Sequence, residues 1–109
     1  MHSPCSQAFC GPSLRGKSIG FYGFGAIAQS IALLLPPFKP ARLLYTTSRP
    51  TPFDPTLADA RWRTLRDGGW AELMAYDRAT ASREKGREPL EVRNVGDVGE
   101  LAAEVDVLL

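Results

Sequence analysis

The sequence predicts an α/β chain, a parallel sheet with flanking helices, and three observations carry that expectation. Ser18 to Tyr22 is a short apolar run with β-favouring residues, and a glycine cluster follows it. Ala26 to Leu35 is rich in helix formers and must stop at Pro36-Pro37, because proline lacks the backbone donor and constrains the residue before it. Ala41 to Thr47 then reads as a second strand, completing strand, glycine turn, helix and strand in about thirty residues.

The remaining elements follow in order. Residues 1–13 read as an irregular lead-in, and the basic turn Arg15-Gly16-Lys17 opens the first strand. Ser48 to Pro55 holds three prolines and reads as a loop. Leu57 to Leu65 and Trp70 to Arg83 both suit helices, separated by Gly68-Gly69. In the second of these, Trp70, Leu73, Met74 and Asp77 fall on neighbouring turns. Arg83 to Pro89 is polar and expected to be exposed. Glu91 to Val95 is a candidate third strand, and Val98 to Val105 a short helix with Asp97 placed to cap it. Asp106 to Leu109 begins a fourth strand. Residues 14–109 thus read as a partial domain carrying a long irregular and helical insertion at about 51–90.

Composition narrows the class. Hydrophobic residues make up 44% and charged residues 23%, as in ordinary globular domains. The net charge of +1 offers no electrostatic case for nucleic acid or a membrane surface. The apolar run from Ile19 to Phe38 is broken by glycines, Gln29, Ser30 and Pro36-Pro37, so it is too short for a bilayer. The first twelve residues lack the basic start and apolar core of a signal peptide. Cys5 and Cys10 lack a CxxC spacing, and His2 is the sole histidine, so neither a disulfide framework nor a metal site is expected. Reduced thiols imply a reducing compartment, most simply the cytoplasm. Trp62 and Trp70 read as packing residues rather than a stacking platform, and Asp54, Asp59 and Asp67 as solvated.

The chemistry-bearing constellation is Gly23-Phe24-Gly25-Ala26-Ile27-Ala28, between a predicted strand and a predicted helix. Gly23 allows the tight turn out of the strand, Gly25 lets a pyrophosphate approach the backbone, and Ala28 lets the helix lie close to the sheet. The helix start then offers free N–H groups and a positive dipole end. This is the pattern of a Rossmann-type dinucleotide site, and the chain holds its first, βαβαβ-like half only. Gly23, Phe24, Gly25, Ala26 and Ile27 are therefore candidate cofactor contacts. An NAD site places Asp or Glu at the end of the second strand, about twenty residues beyond the glycines. This chain has Thr46, Thr47, Ser48 and Arg49 there, with no carboxylate before Asp54. Hydroxyls and a guanidinium suit a 2′-phosphate, so Thr47, Ser48 and Arg49 join the candidates and NADP(H) is favoured over NAD(H).

The stretch from Leu14 to Gln29 resembles the fingerprint segment of the D-isomer-specific 2-hydroxyacid dehydrogenases, within them the glyoxylate/hydroxypyruvate reductase branch. Phe9-Cys10-Gly11, Leu34-Leu35-Pro36-Pro37-Phe38 with Leu43-Leu44-Tyr45-Thr46, and the segment Glu100 to Leu109 are similar to further parts of that family. The likeness leaves out residues 53–90. The resemblance implies an oxidoreductase that moves hydride from NADPH to a small 2-oxoacid in a full-length enzyme, and it also allows a homodimer. Ala26 stands where that family commonly has an arginine that helps to hold the pyrophosphate. The family's catalytic arginine, glutamate and histidine lie beyond the fourth strand and have no counterpart here. The chain therefore reads as a fragment that supplies the nucleotide grip, has no catalytic residue and shows no turnover alone. In the doubly wound order the fourth strand lies beside the first, so Val107, Leu108 and Leu109 are expected on an apolar edge that invites self-association.

Two alternatives stand beside this reading. One is a non-catalytic nucleotide-binding remnant or truncated product. The other is a fragment similar to pyrroline-carboxylate reductase, whose fingerprint also looks like Gly23 to Gln29. There the first strand usually opens the chain, whereas here a lead-in ending Leu14-Arg15-Gly16-Lys17 precedes it.

Overall fold

Two neighbouring strands buried on both faces set the centre of the molecule. In the computed structural model, which describes residues 14–109, β1 (Ser18–Tyr22) buries its first four residues and exposes only Tyr22. Its neighbour β2 (Arg42–Thr46) buries Leu43, Leu44, Tyr45 and Thr46. Strands buried on both faces are those of a parallel sheet covered by helices on each side. The sheet has four parallel strands in the order β3-β2-β1-β4, where β3 is Glu91–Asn94 and β4 is Val107–Leu108. Ile19 lies opposite Leu43 on one side and Val107 on the other. This is the α/β fold expected, with the Rossmann-like strand order in which the chain reverses direction across β1. The lead-in, Cys5, Cys10, His2 and Phe9-Cys10-Gly11 lie outside the described residues.

Two cores result, one per face. On the first, Ile19, Phe21, Leu43 and Tyr45 pack beneath α1 (Ala26–Leu34) and the crossover between β2 and β3. On the second, Leu44, Val95, Leu101 and Val105 form a smaller cluster under α4 (Val98–Glu104). Gly20 faces that second side. A Cβ there would come within 2.9 Å of Val105 Cγ1 and 3.1 Å of Leu101 Cδ1, so the bare backbone is what lets this side of the sheet receive α4.

The crossover departs from a plain pair of helices. The helix expected over Leu57 to Leu65 is instead a 3₁₀ turn, Ala60–Trp62, leading into α2 (Arg63–Asp67). The Asp54 carboxylate accepts from the Thr56 amide at 3.1 Å, and the Asp59 carboxylate accepts from the Arg61 amide at 2.9 Å. These side-chain bonds hold residues 54–59 in turns and delay the helix, the usual effect of Asp beside a helix start. Asp54 and Asp59 are thus turn-forming groups rather than merely solvated ones. After Gly68-Gly69, α3 spans Trp70–Arg83 as expected. Trp62, Leu65, Trp70 and Leu90 enter the first core, so residues 51–90 supply much of the apolar layer that covers it. Both tryptophans are packing residues, 1% and 4% exposed.

Arg83 to Pro89 is not uniformly exposed. Arg87 Nη1 lies 3.1 Å from Asp77, whose other oxygen accepts from the Leu90 amide at 2.7 Å. Asp77 is buried, and this pair of bonds turns the chain from α3 into β3. Glu84 accepts from Lys39 at 2.7 Å and from Arg15 at 2.5 Å. Hydrogen bonds from Lys39 and Arg15 hold its carboxyl down to about 2. The end of α3 is thereby tied to the turns that precede β1 and β2.

Candidate functional site

The turn after β1 is built as the glycine pattern requires. Gly23 sits at φ +94°, a left-handed conformation that strains any residue with a side chain, and its amide donates to Thr46 O at 2.9 Å. That bond joins the ends of β1 and β2. Gly25 is the residue before α1, at φ −81° and ψ −162°, and no side chain among the described residues caps the helix. No acidic residue occupies its first turn. The amides of Ala26, Ile27 and Ala28 precede the first intrahelical bond, Gln29 N to Gly25 O at 2.9 Å, and are left to donate to an outside acceptor.

A cleft of about 540 Å³ opens against this helix start, lined by Tyr22, Gly23, Gly25, Ala26, Ile27 and Leu109 among others. Ile27 is 81% exposed and Tyr22 72%, so apolar side chains stand in solvent around uncapped amides. A second recess of about 320 Å³ lies at the ends of β1 and β2, lined by Tyr22, Gly23, Thr46, Thr47, Ser48 and Asp97. Tyr22 and Gly23 border both spaces. Gly23 of the glycine turn and Thr47 and Ser48 of the second-strand loop therefore border one recess at the ends of β1 and β2.

The individual candidates divide by atom. Gly23, Gly25, Ala26 and Ile27 border the first cleft, and Thr47 and Ser48 border the second. Arg49 is exposed beside Ser48 and forms none of the ion pairs found among the described residues. Phe24 differs from the rest. Its ring is buried, stacked on Tyr45 at 4.4 Å, with Phe21 edge-on at 5.4 Å. Phe24 thus offers the turn only its backbone, while its ring anchors the turn to the core. Asp97 carries a carboxylate into the second recess, where it accepts from the Glu100 amide at 2.8 Å as the cap of α4.

Two polar residues that hold the site were not singled out by the sequence. Gln29 is 1% exposed. Its Nε2 donates to Phe24 O at 3.0 Å and to Arg61 O at 2.6 Å, and its Oε1 accepts from the Leu65 amide at 3.3 Å. One amide group thus joins the glycine turn to the crossover. Asn94, the last residue of β3, donates from Nδ2 to Tyr45 O at 3.2 Å and accepts from the Thr51 amide at 3.3 Å. Their signal in the sequence is slight, a polar side chain within a mostly apolar helix and another at a strand end.

Among the described residues no group of acidic, histidine or cysteine side chains is placed to hold a metal ion. No helix among them is long and apolar enough to cross a membrane. No protein-family model matches the chain, and none of the curated proteins compared with it matches.

Proposed function

We propose that this chain is the NAD(P)-binding portion of an oxidoreductase resembling glyoxylate/hydroxypyruvate reductase, and that it grips NADP(H) in preference to NAD(H). The observation that carries the reading is Gly25. A Cβ at that position would meet none of the described residues within 4 Å, and its backbone lies in the extended region open to any residue. Neither packing nor backbone angle demands glycine at this position. A pyrophosphate drawn against the uncapped amides of α1 does, because a methyl group would stand between the anion and the backbone. When bound, the nicotinamide cofactor supplies the hydride for a 2-oxoacid carbonyl, and this chain's share is to bind and orient the nucleotide.

The test separates fold from ligand. Gly25→Ala is expected to leave the chain folded with a loss of no more than about 1 kcal/mol, the modest cost of alanine at a helix N-cap, since the added carbon meets none of the described residues. Binding of adenosine 2′,5′-bisphosphate, which occupies only the adenosine half of such a site, is expected to weaken about tenfold or more, the usual cost of losing charge-assisted contacts. Unchanged binding by the variant would remove the nucleotide reading.

Cofactor choice rests on Ser48, which lines the recess, and on Arg49, which is exposed beside it and forms none of the ion pairs among the described residues. Adenosine 2′,5′-bisphosphate is expected to bind more tightly than adenosine 5′-monophosphate, and Arg49→Ala to shrink that difference about tenfold while sparing the monophosphate. A second reading draws on Asp97, the carboxylate lining the same recess. Tighter binding of the monophosphate than of the bisphosphate in the unmodified chain would assign the ribose hydroxyls to Asp97 and the preference to NAD(H).

A further inference from the structure

The loop that would choose between the cofactors is held from behind by a closed set of hydrogen bonds. Thr51 is buried, and its amide donates to Asn94 Oδ1 at 3.3 Å. The Thr51 carbonyl accepts from the Tyr45 hydroxyl at 2.5 Å. Burial pushes the Tyr45 phenol up to about 12, against a smaller opposing pull from Arg61, so it remains a donor. Asn94 Nδ2 donates both to Tyr45 O at 3.2 Å and to Thr47 Oγ1 at 3.4 Å. The hydroxyls of Thr47 and Thr51 in turn donate to one acceptor, the carbonyl of Arg49, the latter at 2.9 Å. The ring closes on Arg49. Its backbone is clamped on two sides while its side chain is exposed.

We propose that Asn94 and Thr51 are positioning residues for nucleotide choice: they fix the backbone of Thr47–Arg49 so that the Arg49 guanidinium is presented to a 2′-phosphate without first ordering the loop. This deepens the cofactor reading above and rests on it. A loop containing Pro50 and Pro52 beside an exposed arginine has no helix or strand to define its path. Ordering it at the moment of binding would subtract from affinity, and a loop ordered in advance avoids that loss. Neither Asn94 nor Thr51 lines the recess itself. Their effect on a ligand therefore passes through Arg49 and its neighbours, and it falls on the one phosphate those residues serve.

The experiment uses the full chain and calorimetric titration with adenosine 2′,5′-bisphosphate and, separately, adenosine 5′-monophosphate. Asn94→Ala and Thr51→Val are each expected to weaken the bisphosphate about threefold to tenfold while the monophosphate changes less than about twofold. Thr51→Ser, which keeps both the hydroxyl and the amide, is expected to retain the preference. Thr51→Val preserves side-chain shape, so it decides the matter if Asn94→Ala does not fold. Equal weakening of both nucleotides, or an unchanged ratio in the folded variants, overturns the positioning role. A preference in the unmodified chain that survives both substitutions removes this inference alone. No preference in the unmodified chain removes the cofactor reading and this inference with it.

Discussion

Trp62→Ala is expected to cost about 3–5 kcal/mol of folding stability, the range for deleting a large buried aromatic side chain. Trp62 is 1% exposed and lies where the crossover meets the sheet. Its ring is edge-on to Phe53 at 5.3 Å and to Tyr45 at 6.4 Å, and lies 6.3 Å from Phe24. Such pairs add roughly 0.5–1.5 kcal/mol each beyond the area that they bury. The cavity left by alanine would lie against Phe24 and hence beside the glycine turn. A domain of this size has roughly 5–15 kcal/mol in total, so the loss is a large share of it. Urea unfolding followed by circular dichroism measures it. A cost under about 1 kcal/mol would show that residues 51–90 can leave the core without disturbing the sheet.

Gln29→Leu is expected to cost about 2–4 kcal/mol, although leucine is the more apolar residue and the position is buried. The side-chain amide satisfies Phe24 O, Arg61 O and the Leu65 amide, and leucine would leave all three without that partner. Abandoned buried groups cost roughly 1–3 kcal/mol apiece, and three that share one partner fall short of full additivity. Because Phe24 O belongs to the glycine turn, the same variant is expected to weaken nucleotide binding. Ser30→Ala is the matched control. That hydroxyl is exposed and returns only to Ala26 O at 3.0 Å, so its loss is expected within about 0.5 kcal/mol. Equal stability of the two variants would show that the buried amide is not what holds turn and crossover together.

The two variants mark where sequence patterns stop being informative. The glycine turn, α1 and its proline stop are local features, each set by residues within one or two turns of chain. Asp97 as the cap of α4 is equally local, a carboxylate answering an amide three residues away. The helix expected over Leu57 to Leu65 misled because its apolar spacing competed with the aspartates at 54 and 59, whose side chains bond to nearby amides instead. Phe24 looked like a ligand contact by its place in the fingerprint. Its ring is drawn inward by Tyr45 and Phe21, partners distant in the sequence or hidden by the turn between them.

By itself the sequence determined the α/β class, the order of the main strands and helices, and the two segments that border the site. Hydrophobic period, proline and glycine act over a few residues and can be read without knowing what lies across the sheet. Only the tertiary structure decided that Gln29 spans from the turn to Arg61 and Leu65, and that Asn94 reaches from β3 to Tyr45, Thr47 and Thr51. Those bonds join groups up to 49 residues apart, and nothing in a polar residue's own neighbourhood records which distant amide or carbonyl it will meet. A buried polar group must find a partner, but the chain alone does not name it. The packing of β3 beside β2 does.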